Sequence, residues 1–308
     1  MYNVLIIGGG PAGITAAIYC ARSNLKVALI DKGLIGGNPL NYLEIQNYPG
    51  LPGTTENLVD KFLEHLNKYP NIEIFEFEDI EFVDLTNKIV KTAEGELQGK
   101  KIIIATGSKP RMLNVPGEEE HIGKGVHYCA ICDGPLYKDK TVAVIGGGNS
   151  ACEEALGLSK ICKKVYIIEF TDKLNCEKTT LDKINNTENI EIHTSCQVDE
   201  IIGDDKVTNI LFSSVIDSSK HFNYLVDAVF PYIGMSPNLP NLINENCTNP
   251  HLIAGLFHKD GYILTNENMQ TTINDIYAIG DITSKKYRQV ITAMSDGAIA
   301  AIHISKNL

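Results

Sequence analysis

The chain is 308 residues long, 44% hydrophobic and 21% charged, with a formal net charge of −11. That length favours two domains with separate cores, and no apolar run approaches the ~20 residues of a membrane span. The acidic balance, with no Lys/Arg run longer than two, argues against nucleic acid. Eight cysteines without a secretory context point to a reducing cytoplasm rather than a disulfide scaffold.

In chain order, the apolar run Val4–Ile7 reads as a buried strand starting at Tyr2 or Asn3, which leaves no room for a targeting peptide. A glycine-rich turn and a proline-free helix over Ala12–Arg22 follow, then a strand over Val27–Ile30 that ends at Asp31. Next come Gly36-Gly37-Asn38, a helix around Thr55–Lys68, strands between Ile72 and Val90, and a strand from Lys101 that stops at Thr106-Gly107. Such a stop suits a close backbone approach to a ligand. Arg111–Gly125, with two prolines nearby and three consecutive glutamates, reads as a linker. Beyond it, strands are expected at Val142–Ile145, Val165–Ile168, Ile190–His193, Val207–Phe212 and Ala228–Tyr232. Pro237 and Pro240 mark a return crossover. Asn246–His258 is irregular. A short strand from Asp275 ends in Gly280-Asp281, and a helix runs from about Gln289 to Ser305.

One layout occurs twice. Gly8, Gly10 and Gly13 follow the first strand and Asp31 ends the next; Gly146, Gly148, Ala151 and Glu169 repeat them, each 138 positions later. In such a fingerprint the first glycine makes the tight turn, the second admits a pyrophosphate to the backbone and the third lets helix pack on strand, with the phosphates at the helix N-terminus. Two dinucleotide-binding βαβ units are therefore expected. The fold class is α/β, with two Rossmann-like domains, the second inserted in the first: residues 1–113 with 247–308, and 114–246.

Cys129-Ala130-Ile131-Cys132-Asp133 sits just before the second fingerprint. A structural zinc site wants four ligands, and no second half-site lies nearby, so no metal is assigned. A redox pair fits better, because close cysteines form a disulfide that exchanges through a mixed disulfide. Asp133 is positioned to protonate or deprotonate a leaving thiol, or to cap a helix. His127 is a weaker candidate base. Cys20, Cys152, Cys162, Cys176, Cys196 and Cys247 read as structural. Two dinucleotides and a dithiol suggest electrons passing from a nicotinamide through a flavin to a disulfide.

End to end, the chain resembles the low-molecular-weight thioredoxin reductases. The resemblance is carried by Gly8-Gly9-Gly10-Pro11-Ala12-Gly13, Asn47-Tyr48-Pro49-Gly50, Ala105-Thr106-Gly107, the Cys129–Asp133 segment, Gly146-Gly147-Gly148-Asn149-Ser150-Ala151, Ala278-Ile279-Gly280-Asp281 and Tyr287-Arg288-Gln289. It implies FAD held by the first fingerprint with Asp31, Gly37, Asn38, Asn47, Thr106, Gly107, Gly280, Asp281, Arg288 and Gln289. The nicotinamide nucleotide would lie on Gly146, Gly148, Asn149, Ser150 and Ala151. The resemblance also implies a homodimer, Cys132 on the flavin side, Cys129 attacking the carrier, and thioredoxin or a thioredoxin-like protein as carrier.

The chain departs from the family at the second nucleotide site. NADPH-using members carry His-Arg-Arg-x-x-x-Arg where this chain has Glu169-Phe170-Thr171-Asp172-Lys173-Leu174-Asn175. No arginine remains to pair with a 2′-phosphate, and Glu169 suits a free ribose 2′-hydroxyl, so NADH is favoured over NADPH. Ile168-Glu169-Phe170 is similar to the same stretch in NADH-using alkyl hydroperoxide reductase flavoproteins, whose added N-terminal dithiol domain is not found here. Asn38 stands where the family has Gln. Two alternatives remain: a ferredoxin-linked or other nicotinamide-independent thioredoxin reductase, and an FAD- and nucleotide-binding redox sensor.

Overall fold

A computed structural model describes residues 1–41, 44–45, 48–51, 53–244 and 255–308. Asn47, Cys247 and the rest of residues 245–254 lie outside the described residues. The chain forms two units: Met1–Lys109 with Ser236–Leu308, and Pro110–Met235. The architecture is α/β, two Rossmann-like domains with the second inserted in the first.

Both junctions fall earlier than residues 113 and 246. Ser108–Pro110 and Met235–Pro237 pair as a short ribbon where the chain leaves and re-enters the first unit. Leu242–Ile243 is already a strand of the first unit, parallel to Ile80–Asp84 with Leu242 opposite Val83.

In the first unit, Tyr2–Ile7 runs between Val27–Ile30 and Gly95–Ile104, parallel to both, with Ile7 opposite Ile30 and Ile104. Ile72–Phe75 and Ile276–Ala278 extend the parallel set on its two sides. Val4 to Ile7 are fully buried, as continuous apolar strands covered on both faces should be. The first half of Gly95–Ile104 turns back antiparallel to Ile89–Thr92, which pairs with Ile80–Asp84.

Helix Pro11–Arg22 follows the first glycine turn and packs on Val290–Lys306 so closely that a Cβ on Gly297 would lie 2.3 Å from the Ala12 carbonyl oxygen. A Cβ on Gly13 would lie 1.9 Å from the Gly8 oxygen. That contact is with backbone, which cannot swing aside. Gly13→Ala is therefore expected to cost about 1–3 kcal/mol by overpacking and to lower the melting temperature, as measured by calorimetry.

The second unit repeats the plan in a four-stranded parallel sheet ordered Ile190–His193, Lys164–Ile168, Thr141–Ile145, Ala228–Pro231. An antiparallel sheet of Cys196–Gly203, Val207–Ser214 and His221–Leu225 joins it.

The expected linker Arg111–Gly125 is instead folded into this unit. Glu118, one of the three glutamates, is 1% exposed and accepts from the Leu113 and Asn114 amides and the Tyr128 hydroxyl. Three donors offset the desolvation of one carboxylate, so a charge run that reads as solvated is in part a buried clasp.

Candidate active site

The repeat in sequence is a repeat in geometry. Gly8 takes φ +108° and Gly146 φ +120°, a region that disfavours side chains. The Gly8 amide donates to Ile30 (2.7 Å) and the Gly146 amide to Ile168 (2.8 Å). Ile14 donates to Gly10 (2.9 Å) and Cys152 to Gly148 (3.0 Å). An added Cβ would meet the Ala105 oxygen at 2.3 Å in one copy and the Tyr232 oxygen at 2.4 Å in the other. At Gly148 a Cβ would meet nothing within 4 Å, and at Gly10 its nearest neighbour would be Gly37 Cα at 3.8 Å. The middle glycine of each copy thus leaves open space before a helix N-terminus, the arrangement that accepts a pyrophosphate.

In the first unit the parallel register brings Gly8–Gly13, Asp31, Thr106-Gly107 and Gly280-Asp281 to one carboxyl edge of the sheet. Asp31 accepts from the Gly9 amide (2.5 Å) and the Gly33 amide (2.8 Å). Among the described residues, Thr106 Oγ1 and Asp281 Oδ1 are buried without a partner, as is Glu78 Oε2, which follows the neighbouring strand and which sequence reasoning missed. Buried polar atoms are nearly always paired, so these orphans fit the polar groups of a ligand. Burial pushes the Asp281 carboxyl above the usual carboxylate range, against the pull of Lys285 and Arg288.

Other expected residues have structural roles in this geometry. The Arg288 guanidinium donates to the Asp281 and Thr283 carbonyls (3.3 and 3.2 Å) and lies 4.0 Å from the Tyr262 ring centroid. Gln289 caps Val290–Lys306 in a capping box with Thr292. Asn38 donates to the Ser108 carbonyl (3.2 Å). Asp296, also missed, accepts from the Gly280 amide (2.9 Å) and from Lys285. An acid in the middle of a helix gives no sequence signal that it braces a turn.

In the second unit Glu169 is buried at the end of Lys164–Ile168. Its Oε1 accepts from the Thr171 amide (2.8 Å) and hydroxyl (2.6 Å). Its Oε2 lies beside the glycine turn, 2.8 Å from where a Gly147 Cβ would stand. Asn175 donates its amide to the Gly147 oxygen (2.7 Å) and its side chain to Thr171 (3.2 Å), so residues 171–175 arch over the turn. Asn149 accepts from the Glu177 amide (2.8 Å).

On helix Asn149–Ser159, burial and then Glu153 raise the Glu154 carboxyl to about 7. A raised carboxyl pKa favours the folded state below the ordinary value, and that stability is lost as pH rises through the folded one. Glu154→Gln is therefore expected to gain about 2 kcal/mol of relative stability at about pH 8, discounted for partial exposure, and little at about pH 4. Melting temperatures of both proteins across that range check it.

Cys129 and Cys132 form a disulfide with Cα atoms 5.3 Å apart. Cys129 caps the short helix Ala130–Asp133, its Sγ accepting from the Cys132 amide (3.2 Å), and the Ala130 amide donates to the Tyr232 hydroxyl (2.8 Å). Asp133 does not cap through its side chain. Its Oδ2 lies 3.1 Å from His127 Nδ1, and His127 Nε2 lies 2.8 Å from the Tyr137 hydroxyl. Burial, then Asp133, raises the Tyr137 phenol. Cys20, Cys152, Cys162 and Cys196 are free and buried; Cys176 is free and half-buried. Cys162 lies beyond the helix, which ends at Ser159.

The family model of the pyridine nucleotide-disulphide oxidoreductases matches residues 2–297. The chain is 37% identical over 310 residues to a thioredoxin reductase of Listeria innocua, covering 99% of this chain and 93% of that one. The crystal structure of Lactococcus lactis thioredoxin reductase superposes with a TM-score of 0.88 at 36% identity, covering 99% of this chain and 98% of that one. That of T. acidophilum thioredoxin reductase gives 0.85 at 32% identity, with the same coverage. With two glycine cradles and a cystine in one chain and likeness over nearly its full length, the protein is an oxidoreductase that belongs to the pyridine nucleotide-disulphide oxidoreductases, in the low-molecular-weight thioredoxin reductase family.

Proposed function

We propose that the protein passes electrons from NADH through FAD and the Cys129/Cys132 pair to the disulfide of thioredoxin or a thioredoxin-like carrier. The observation that carries this reading is the cystine set beside a second complete nucleotide cradle, in a chain whose relatives are named thioredoxin reductases. FAD, when bound, supplies the two-electron link between nicotinamide and disulfide.

In this reading the glycine turn and helix N-terminus formed by Gly8, Gly10, Pro11, Ala12 and Gly13 would hold its pyrophosphate. Asp31, fixed by two amides, keeps lone pairs for a ribose hydroxyl. Thr106, Gly107, Gly280 and Asp281 line the polar edge, where the orphaned oxygens gain partners. Gly37 and Asn38 would border the flavin, and Asn47, outside the described residues, is proposed with them. Arg288 and Gln289 act by holding the segment around Asp281 and the start of the last helix rather than through free side chains.

Gly146, Gly148, Asn149, Ser150 and Ala151 form the nicotinamide cradle. Glu169 Oε2 accepts from the ribose 2′-hydroxyl and repels a 2′-phosphate. Asp133 serves as the acid for a leaving sulfur. The working form is a homodimer in the cytoplasm.

The test is steady-state reduction of a bacterial thioredoxin, coupled to insulin. NADH is expected to support turnover at much lower concentration than NADPH. Tight nucleotide binding without turnover would support the sensor reading instead.

A further inference from the structure

We infer that His127 is a positioning residue for Asp133, completing a Tyr137–His127–Asp133 chain of hydrogen bonds that governs protonation at the Cys129–Cys132 pair. The inference rests on the disulfide-reductase reading above and adds the residues that hold its acid.

His127 has little freedom to do anything else. It is 7% exposed, its amide donates to the Val229 carbonyl (3.0 Å), and its ring stacks on Phe230 with centroids 5.8 Å apart and planes 29° apart. Tyr137 meets both rings edge-on, at 5.5 Å from His127 and 6.0 Å from Phe230. The imidazole is clamped, so its two nitrogens point at fixed partners. Those partners are Asp133 Oδ2 at 3.1 Å and the Tyr137 hydroxyl at 2.8 Å.

Proton bookkeeping permits one neutral arrangement with an ionised Asp133. A carboxylate only accepts, so the ring N–H sits on Nδ1; Nε2 then accepts from the Tyr137 hydroxyl. The phenol stays a donor because burial raises it, and Asp133 and Asp227 oppose its ionisation. Asp227 is itself paired with Lys140 at 3.5 Å. One further proton makes His127 an imidazolium that donates to both partners, or moves to Asp133 as a neutral carboxyl. The chain thus holds one transferable proton beside the dithiol.

In exchange, the attacking Cys129 thiolate forms an S–S bond to the carrier, the carrier's S–S bond breaks, and its leaving sulfur departs as a thiolate. That thiolate takes the one transferable proton from the Asp133 carboxyl, which leaves an ionised Asp133 accepting from the Nδ1–H of neutral His127. A second property follows for the free enzyme: the charge state of the pair Asp133–His127 sets how readily the reduced dithiol ionises.

The test compares wild type with His127→Phe, His127→Asn, Asp133→Asn and the double variant His127→Phe/Asp133→Asn, each first checked for bound flavin and for melting temperature. Thioredoxin reduction is expected to fall about 10²-fold in His127→Phe, while the rate of flavin reduction by NADH stays unchanged. His127→Asn, which keeps an N–H donor near the Nδ1 position, should recover part of the loss, as a cavity defect would not. In the Asp133→Asn background, His127→Phe should add less than about a twofold further loss, since residues acting as one unit are not additive.

The second readout needs neither donor nor carrier: the pH dependence of iodoacetamide alkylation after reduction with dithiothreitol. Its midpoint should shift in His127→Phe. Thioredoxin turnover within about twofold of wild type in His127→Phe, independent multiplication of the His127 and Asp133 effects, or an unmoved alkylation midpoint would each overturn the inference. Absence of NADH-driven thioredoxin reduction in the wild type, with the midpoint still shifted in His127→Phe, would refute the electron path and leave the positioning role standing.

Discussion

Replacing either Cys129 or Cys132 with serine is expected to abolish thioredoxin reduction while FAD remains bound. The relay needs both sulfurs, one to enter a mixed disulfide and one to resolve it, whereas the orphaned oxygens and first glycine cradle that fit FAD belong to the other unit. Turnover should drop to the uncatalysed background, not by a fraction, because a serine hydroxyl forms no disulfide. The two variants should differ in colour. With Cys132 on the flavin side, Cys132→Ser loses any thiolate-to-flavin charge-transfer band, and Cys129→Ser keeps it. The Cys132 amide already points at Cys129 Sγ, a donor that favours the thiolate of the sulfur assigned to attack. Visible spectra of the reduced variants check the assignment; a band lost only in Cys129→Ser would reverse the two roles.

The second large effect is on the choice of nicotinamide. Glu169→His, Phe170→Arg, Thr171→Arg and Asn175→Arg together are expected to move preference from NADH toward NADPH by orders of magnitude. Each arginine–phosphate contact is a charged hydrogen bond of about 1.5–3 kcal/mol, and every 1.4 kcal/mol is tenfold. Phe170 is 63% exposed, so an arginine there displaces no core. Thr171 and Asn175 are less free, since their side chains shape the arch through Glu169, the Lys173 carbonyl and each other. The fourfold variant should therefore melt lower than wild type even as its preference changes. Glu169→Gln alone should weaken NADH about tenfold and relieve the repulsion of NADPH. Titrations at fixed salt measure both, because exposed ionic contacts are screened.

Much of this was legible in the chain. Glycine spacing after a β-rich apolar run has a steric cause, so Gly8–Gly13 and Gly146–Ala151 announced two cradles, and the backbone bonds repeat with the same spacing. The cystine was legible because its cysteines are close in sequence. What stayed hidden depends on contacts between residues distant in sequence or on side-chain direction. Glu118 looks like one of three solvated glutamates, yet the turn at residues 113–114 and Tyr128 close on it. Arg288 and Gln289 look like ligand contacts, and the structure adds local roles that the sequence does not show: Arg288 holds the Asp281 and Thr283 carbonyls and Gln289 caps the last helix. His127 looked like a lone histidine; only the packing of Phe230 and Tyr137 shows that its ring is clamped against Asp133. The second domain junction lies earlier than the sequence suggests, because Leu242–Ile243 is too short to announce a strand without its partner.

The electron path is tested most directly by anaerobic titration of the flavin's visible absorbance with NADH and NADPH in parallel, with thiols counted at each point. About two equivalents of NADH, two electrons for each centre, should expose two thiols from Cys129 and Cys132 and bleach the flavin in the wild type, with NADPH far less effective. Equal bleaching by the two nucleotides would contradict the role given to Glu169. A flavin reducible by dithionite but by neither nucleotide would contradict the nicotinamide path itself.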